Sequence, residues 1–163
     1  MRFICSILII YLFSIESATA QTDTLPAYLK EPVVPTFSIQ LPNGEWYNKT
    51  HLQSKPTLIF YFSPDCGHCQ SETEELVSRA KSLSKLQVVM ITSRSKEEMT
   101  AFSDKYMLHK IANFKVGSDT KRFITRFYKV KFTPFSALYD KKGKLVKVYE
   151  SGVDFEDLLA QIK

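Results

Sequence analysis

The chain has 163 residues, enough for one globular domain and too few for two. At 44% hydrophobic and 13% aromatic it can fill a core, and with 5 Gly and 7 Pro it is neither disordered, collagen-like nor low-complexity. Three cysteines exclude a disulfide-dense scaffold, and a net charge of +5 is not by itself a nucleic-acid signal.

Residues Met1 to Ala20 read as a signal peptide. Arg2 starts it, an almost unbroken apolar run follows from Phe3 to Phe13, and Ala18-Thr19-Ala20 supplies small residues for cleavage before Gln21. The run is too short to span a bilayer, which takes roughly 20 apolar residues. An uncleaved anchor is the alternative. Cys5 precedes the run and would leave with the peptide, so the mature chain keeps Cys66 and Cys69. That chain is expected to be periplasmic or otherwise exported, in an oxidising compartment, without stable membrane insertion.

Gln21 to Pro35 carries three prolines without a period and reads as an extended lead-in, residues 21–35, to a single domain over 36–163. Phe37, Ile39 and Leu41 alternate with polar residues, a strand signal. Pro42-Asn43-Gly44 is turn chemistry, and Glu45 to Asn48 returns as a second short strand. Pro56 to Ser63 is a continuous apolar run, the mark of a strand buried on both faces. His68 to Leu86 reads as a helix with Leu76, Ala80 and Leu83 on one face and the acids Glu72, Glu74 and Glu75 near its start.

Leu86 to Thr92 is another buried strand. Ser95 to Met107 is a helix with a capping box of Ser95 and Glu98 and an apolar stripe of Met99, Phe102 and Tyr106. Ile111 to Val116 is a weaker strand, and Asp119 to Tyr128 a helix with Phe123, Ile124 and Phe127 inward. Phe135 to Tyr139 and Lys144 to Tyr149 form a hairpin around Asp140-Lys141-Lys142-Gly143. Asp154 to Lys163 closes the chain as a helix capped by Asp154, with Phe155, Leu158, Leu159 and Ile162 apolar. Alternating strands and helices predict an α/β domain: a central mixed sheet flanked by helices, with an N-terminal β-hairpin extension.

Cys66-Gly67-His68-Cys69 follows a buried strand and opens a helix. A two-residue gap in the first turn brings the sulfurs within bonding reach. The unpaired amides and partial positive charge of the helix start stabilise a thiolate there. Cys66 is the expected nucleophile, and Cys69, one turn in and more covered, the resolving thiol. A protonated His68 between them would favour the reduced form and make the disulfide more oxidising. The alternatives are an inert bridge, which constrains so short a loop little, and a zinc site, for which one CxxC supplies two of four ligands. His51 and His109 are isolated and read as surface histidines.

This placement of Cys66 and Cys69, with Thr133-Pro134 later before a strand, resembles the thioredoxin superfamily. It is most similar to the exported TlpA-like redoxins, a group that includes thiol–disulfide reductants of cytochrome c maturation. Tyr128-Lys129-Val130 to Thr133-Pro134, then Leu138-Tyr139-Asp140, Gly143 and Leu145-Val146, follow that family's second signature. The resemblance implies a thioredoxin-like fold and a cis bond before Pro134, in a loop that faces the cysteines, blocks metal capture and pairs with the partner's backbone. An ordinary strand-start proline is the alternative.

The branch carries a glutamate at the position of Glu72 that tunes the thiol pair and moves protons; the other reading of Glu72 is a solvated first-turn acid. Three positions depart from the thioredoxin pattern: Phe60 replaces a buried Asp, Asp65 the usual Trp, and Glu74 the helix proline. Asp65 would oppose thiolate formation at Cys66.

The sequence therefore reads as an exported protein thiol–disulfide oxidoreductase with Cys66, Cys69, His68, Gly67 and Glu72 catalytic and Thr133 and Pro134 binding substrate. No organic cofactor or metal is required. Its expected partners are cysteine-containing exported proteins and a membrane thiol electron donor, with no nucleic acid. The resemblance leans to a reductant; the Gly-His pair leans to an oxidant or isomerase. Phe62, Phe132 and Phe135 form either an apolar rim for unfolded chains or core. A peroxidase would place a hydroxyl at Ser63 but needs a proline where Ile59 stands. A copper-binding module would use the two thiolates and His68.

Overall fold

Apolar runs and caps in the sequence become, in a computed structural model that describes residues 25–162, a helix-flanked sheet. In chain order the elements are α1 (Ala27–Lys30), β1 (Ser38–Gln40), β2 (Trp46–Asn48), β3 (Thr57–Tyr61), α2 (Gly67–Ser78), β4 (Gln87–Thr92) and α3 (Lys96–Lys105). They continue with β5 (Phe114–Ser118), α4 (Phe123–Tyr128), β6 (Phe135–Tyr139), β7 (Leu145–Tyr149) and α5 (Phe155–Gln161). The predicted signal peptide, residues 1–20, lies outside the described residues.

The seven strands are ordered β2-β1-β5-β4-β3-β6-β7. β3, β4 and β5 run parallel, β6 lies antiparallel to β3, and β7 to β6. β1 and β2 form the expected N-terminal hairpin, which pairs with β5 at Gln40 opposite Ser118. The continuous apolar runs are explained by burial of β3, β4 and β6 along their whole length. One face sets Leu58, Phe60, Met90 and Leu138 against Leu76 of α2, Phe102 of α3 and Leu158 of α5. The other sets Ile59, Val89, Ala137 and Tyr139 against Tyr128 of α4 and Tyr28 of α1.

Local chemistry matches the elements. Ser95 and Glu98 close the capping box of α3, Asp154 caps α5 by accepting from the Asp157 amide, and Gly44 and Gly143 take φ of +87° and +76° in the two turns.

Four predicted elements are corrected. α2 stops at Ser78, not Leu86, and the chain continues in turns; the Asn113 amide donates to the Leu83 and Leu86 carbonyls, holding them out of a helical ladder, while Leu83 stays fully buried. α3 ends at Lys105, two residues early. α4 begins at Phe123 rather than Asp119; the buried Asp119 carboxylate instead accepts from the Ile124 amide across the preceding turn. The lead-in is not wholly extended. Pro26 presets the backbone for the single turn α1, which buries Tyr28 against Tyr128 and Phe135. It then joins the last hairpin through the bridge of Val33 to Lys144.

Candidate active site

β3, an interior strand, ends at Tyr61, and the turn over residues 63–66 redirects the chain into α2. Cys66 caps that helix in an extended conformation, and its sulfur accepts a hydrogen bond from the Cys69 amide at 3.3 Å. The donor is one of the helix's unpaired first-turn amides. From the neighbouring strand, the segment before β6 brings the Thr133 carbonyl to 3.4 Å from the same sulfur. The Thr133–Pro134 peptide bond is cis, and Pro134 is buried. Residues 67 positions apart thus meet at one atom.

The two thiols, both free, differ in exposure and acidity. Cys69 is completely buried. Burial pushes its thiol up to about 12, with the bond to Cys66 adding to the rise. At Cys66 burial also opposes ionisation, but hydrogen bonds from the Cys69 thiol, the Thr133 side chain and the Cys69 and His68 amides outweigh it, and the thiol sits below its ordinary value. The half-exposed sulfur is the acidic one. Gly67 and His68 are exposed at the helix start, and a Cβ on Gly67 would meet nothing within 4 Å, so this side of the site is open.

Glu72 is not a solvated first-turn acid. It lies in the second turn of α2, on the side that also carries Cys69 and Leu76, and is 8% exposed. Burial pushes its carboxyl up to about 7, against the pull of the Val153 amide, and Glu75 adds to the rise. Its Oε1 has no hydrogen-bond partner. Glu74 and Glu75 face solvent, and Phe60, at the position of the thioredoxin Asp, is fully buried.

Of the three aromatics near the site, Phe62 and Phe135 are core. Phe132, directly before Thr133, is 78% exposed. His51 accepts from the Asn48 amide to close the capping box of a one-turn 3-10 helix at Lys49–His51, and His109 lies near Asp104 on the surface; neither joins the site. Among the described residues, no group of three or more His, Cys, Asp and Glu side chains converges on a point that would hold a metal ion. No described helix is long and apolar enough to cross a membrane.

One participant was absent from the sequence reading. Arg94, in the loop after β4, pairs with Asp65 at 2.7 Å and donates to the Ser63 hydroxyl at 3.3 Å. Ser63 in turn donates to Asp65, whose carboxyl lies below its usual range chiefly through that bond. Asp65 is therefore not an unbalanced charge beside Cys66.

The fold is found in solved structures. A secreted disulfide oxidoreductase of Mycobacterium tuberculosis, described as homologous to E. coli DsbE, superposes with a TM-score of 0.65 at 23% identity, over 78% of this chain and 94% of that one. A thiol-disulfide oxidoreductase of Bacteroides fragilis gives 0.68 at 16% identity, over 80% and 99%. The peroxidoxin BcpB of M. tuberculosis gives 0.68 at 16%, over 80% and 93%. These likenesses establish the thioredoxin-like fold. No curated protein matches the sequence. The AhpC/TSA family profile matches residues 32–148, most of the chain and the whole span from β1 to the hairpin of β6 and β7. With that match and this fold, the chain belongs to the AhpC/TSA family, among the redoxins of the thioredoxin superfamily.

Proposed function

We propose that this thiol–disulfide oxidoreductase works in an exported compartment as a reductant of disulfides in partner proteins. The Cys66 thiolate attacks one sulfur of the partner's disulfide; that S–S bond breaks, and the other partner sulfur leaves as a thiolate and takes a proton. Cys69 then loses its proton, attacks the Cys66 sulfur, and releases the partner's second thiol as the Cys66–Cys69 disulfide forms. Two electrons pass to the partner. A membrane thiol donor would restore the reduced pair.

The observation that carries this reading is the asymmetry at one helix start. Cys66 is accessible, acidified and set beside the Thr133-Pro134 loop, while Cys69 is buried behind it. A partner chain laid along that loop brings its sulfur to Cys66, and Phe132 would meet apolar residues next to the partner's cysteine. Glu72, on the Cys69 side of α2 and half-titrated near neutral pH, is suited to take the proton that Cys69 must lose. The secreted neighbour and the apolar run near the N-terminus both support export.

The test is the reduction potential of the purified domain equilibrated with glutathione, beside insulin reduction. A potential well below the glutathione couple, with activity abolished in Cys66→Ser, is the expected result. A potential well above it would make the protein an oxidant or isomerase.

The family and the peroxidoxin likeness favour one second reading, a thiol peroxidase, since Ser63 stands three residues before Cys66. The Ser63 hydroxyl, however, is committed to Asp65 and Arg94. Peroxide consumption coupled to a thiol donor, with insulin left intact, would select that reading.

A further inference from the structure

We propose that Arg94 is a positioning residue for the exchange reaction: its ion pair cancels the charge of Asp65, which would otherwise bear on the neighbouring Cys66 sulfur. The proposal rests on the reading of Cys66 as the attacking thiol. Asp65 directly precedes Cys66 in the chain, so its carboxylate stays within one residue of the nucleophile, and a counter-charge is what neutralises it there. The Arg94 guanidinium does this at 2.7 Å, and its Nε also donates to the Ser63 hydroxyl at 3.3 Å.

The Arg94 backbone is held from both sides. Its amide donates to the Thr92 hydroxyl at 3.3 Å, and its carbonyl accepts from the Ser118 hydroxyl on β5. Ser63 is shared between the pair and the nucleophile, because its carbonyl accepts from the Cys66 amide at 3.1 Å. The pair's side chains are 44% and 68% exposed, and pairs so exposed contribute little to folding. Among the charged or titratable residues flanking Cys66 in the chain or carried by the Thr133 loop — Asp65, His68, Cys69, Lys129 and Lys131 — Asp65 is the one carboxylate. Glu72, further along α2, accepts from the Val153 amide. An unneutralised carboxylate next to a thiolate raises that thiol's pKa.

The test is the pH midpoint of Cys66 alkylation by iodoacetamide at low salt, in the full protein and in Arg94→Gln, Asp65→Asn and the double variant, with thermal melts alongside. Arg94→Gln should raise the midpoint by about half a pH unit, the scale of one exposed charge close by. Arg94→Lys should restore most of it, and 1 M salt should erase the difference. In the Asp65→Asn background Arg94→Gln should change it far less. Equal shifts in both backgrounds would mean that Arg94 acts without Asp65, and no shift in either would mean that the pair is idle; each overturns the proposal. Should Arg94→Gln fold poorly, Asp65→Asn decides: with the Asp65 charge already cancelled it should leave the midpoint close to the wild-type value, and a fall of about half a pH unit would show that Arg94 does not neutralise Asp65. A wild-type midpoint at the value of free cysteine would count against Cys66 as nucleophile, separately from these differences.

Discussion

Gly152 stands against the carboxyl of Glu72. A Cβ at Gly152 would lie 3.1 Å from Glu72 Oε2, and the glycine's φ of +119° is one that side chains rarely tolerate. The loop between β7 and α5 therefore closes over the buried acid with backbone alone.

That closure gives stability a pH slope. The folded protein holds the Glu72 proton more tightly than the unfolded chain, since burial raises the carboxyl from 4.5 to about 7. Stability from this group is complete below pH 4.5 and is lost as pH rises through 7, by up to about 3 kcal/mol. Glu72→Gln should flatten the decline. Melting temperatures of the two proteins should converge at pH 4.5 and separate at pH 8, with the variant higher; an unchanged slope would refute the assignment.

The sulfurs should react one at a time. With Cys69 fully buried and its thiol near 12, native reduced protein at pH 8 should take up a single iodoacetamide, on Cys66. Unfolding in guanidinium should expose the second. Intact and peptide mass spectrometry distinguish this from equal labelling of both.

Phe132 should govern partner recognition without touching thiol chemistry. At 78% exposure it adds little to the fold, so Phe132→Ser should change stability by less than about 0.5 kcal/mol. The KM for a protein disulfide should rise several-fold while the iodoacetamide rate at Cys66 stays the same. An unchanged KM would make Phe132 a bystander.

Gly117 holds the N-terminal hairpin close to the sheet. A Cβ there would fall 2.7 Å from Ile39 Cδ1 and 2.9 Å from Ile39 Cβ, so the clash includes the root of that side chain. Gly117→Ala should destabilise the protein by about 1–3 kcal/mol in urea titrations. A neutral result would show that β1 shifts freely on β5.

Much of this was legible in the residues themselves. β6 spans the predicted Phe135–Tyr139, and the capping box of α3 lies on Ser95 and Glu98, because burial on both faces and local capping leave contiguous signals. α2 was read too long because Ala80 and Leu83 continue a helical spacing that Asn113, thirty residues from Leu83, interrupts. Arg94 escaped for the same reason: a charge pair spanning 29 positions leaves no local pattern. The burial of Glu72 was equally hidden, since the loop that covers it follows some eighty residues later in the chain.

The concealment of Cys69 has a kinetic consequence. In the proposed exchange the buried Cys69 reaches the Cys66–partner disulfide only from the protein's side, so the step that releases the partner would be governed from within the protein. Whatever loosens the first turn of α2 would set the tempo of turnover, and loss of Cys69 should leave captured partners stranded on the surface.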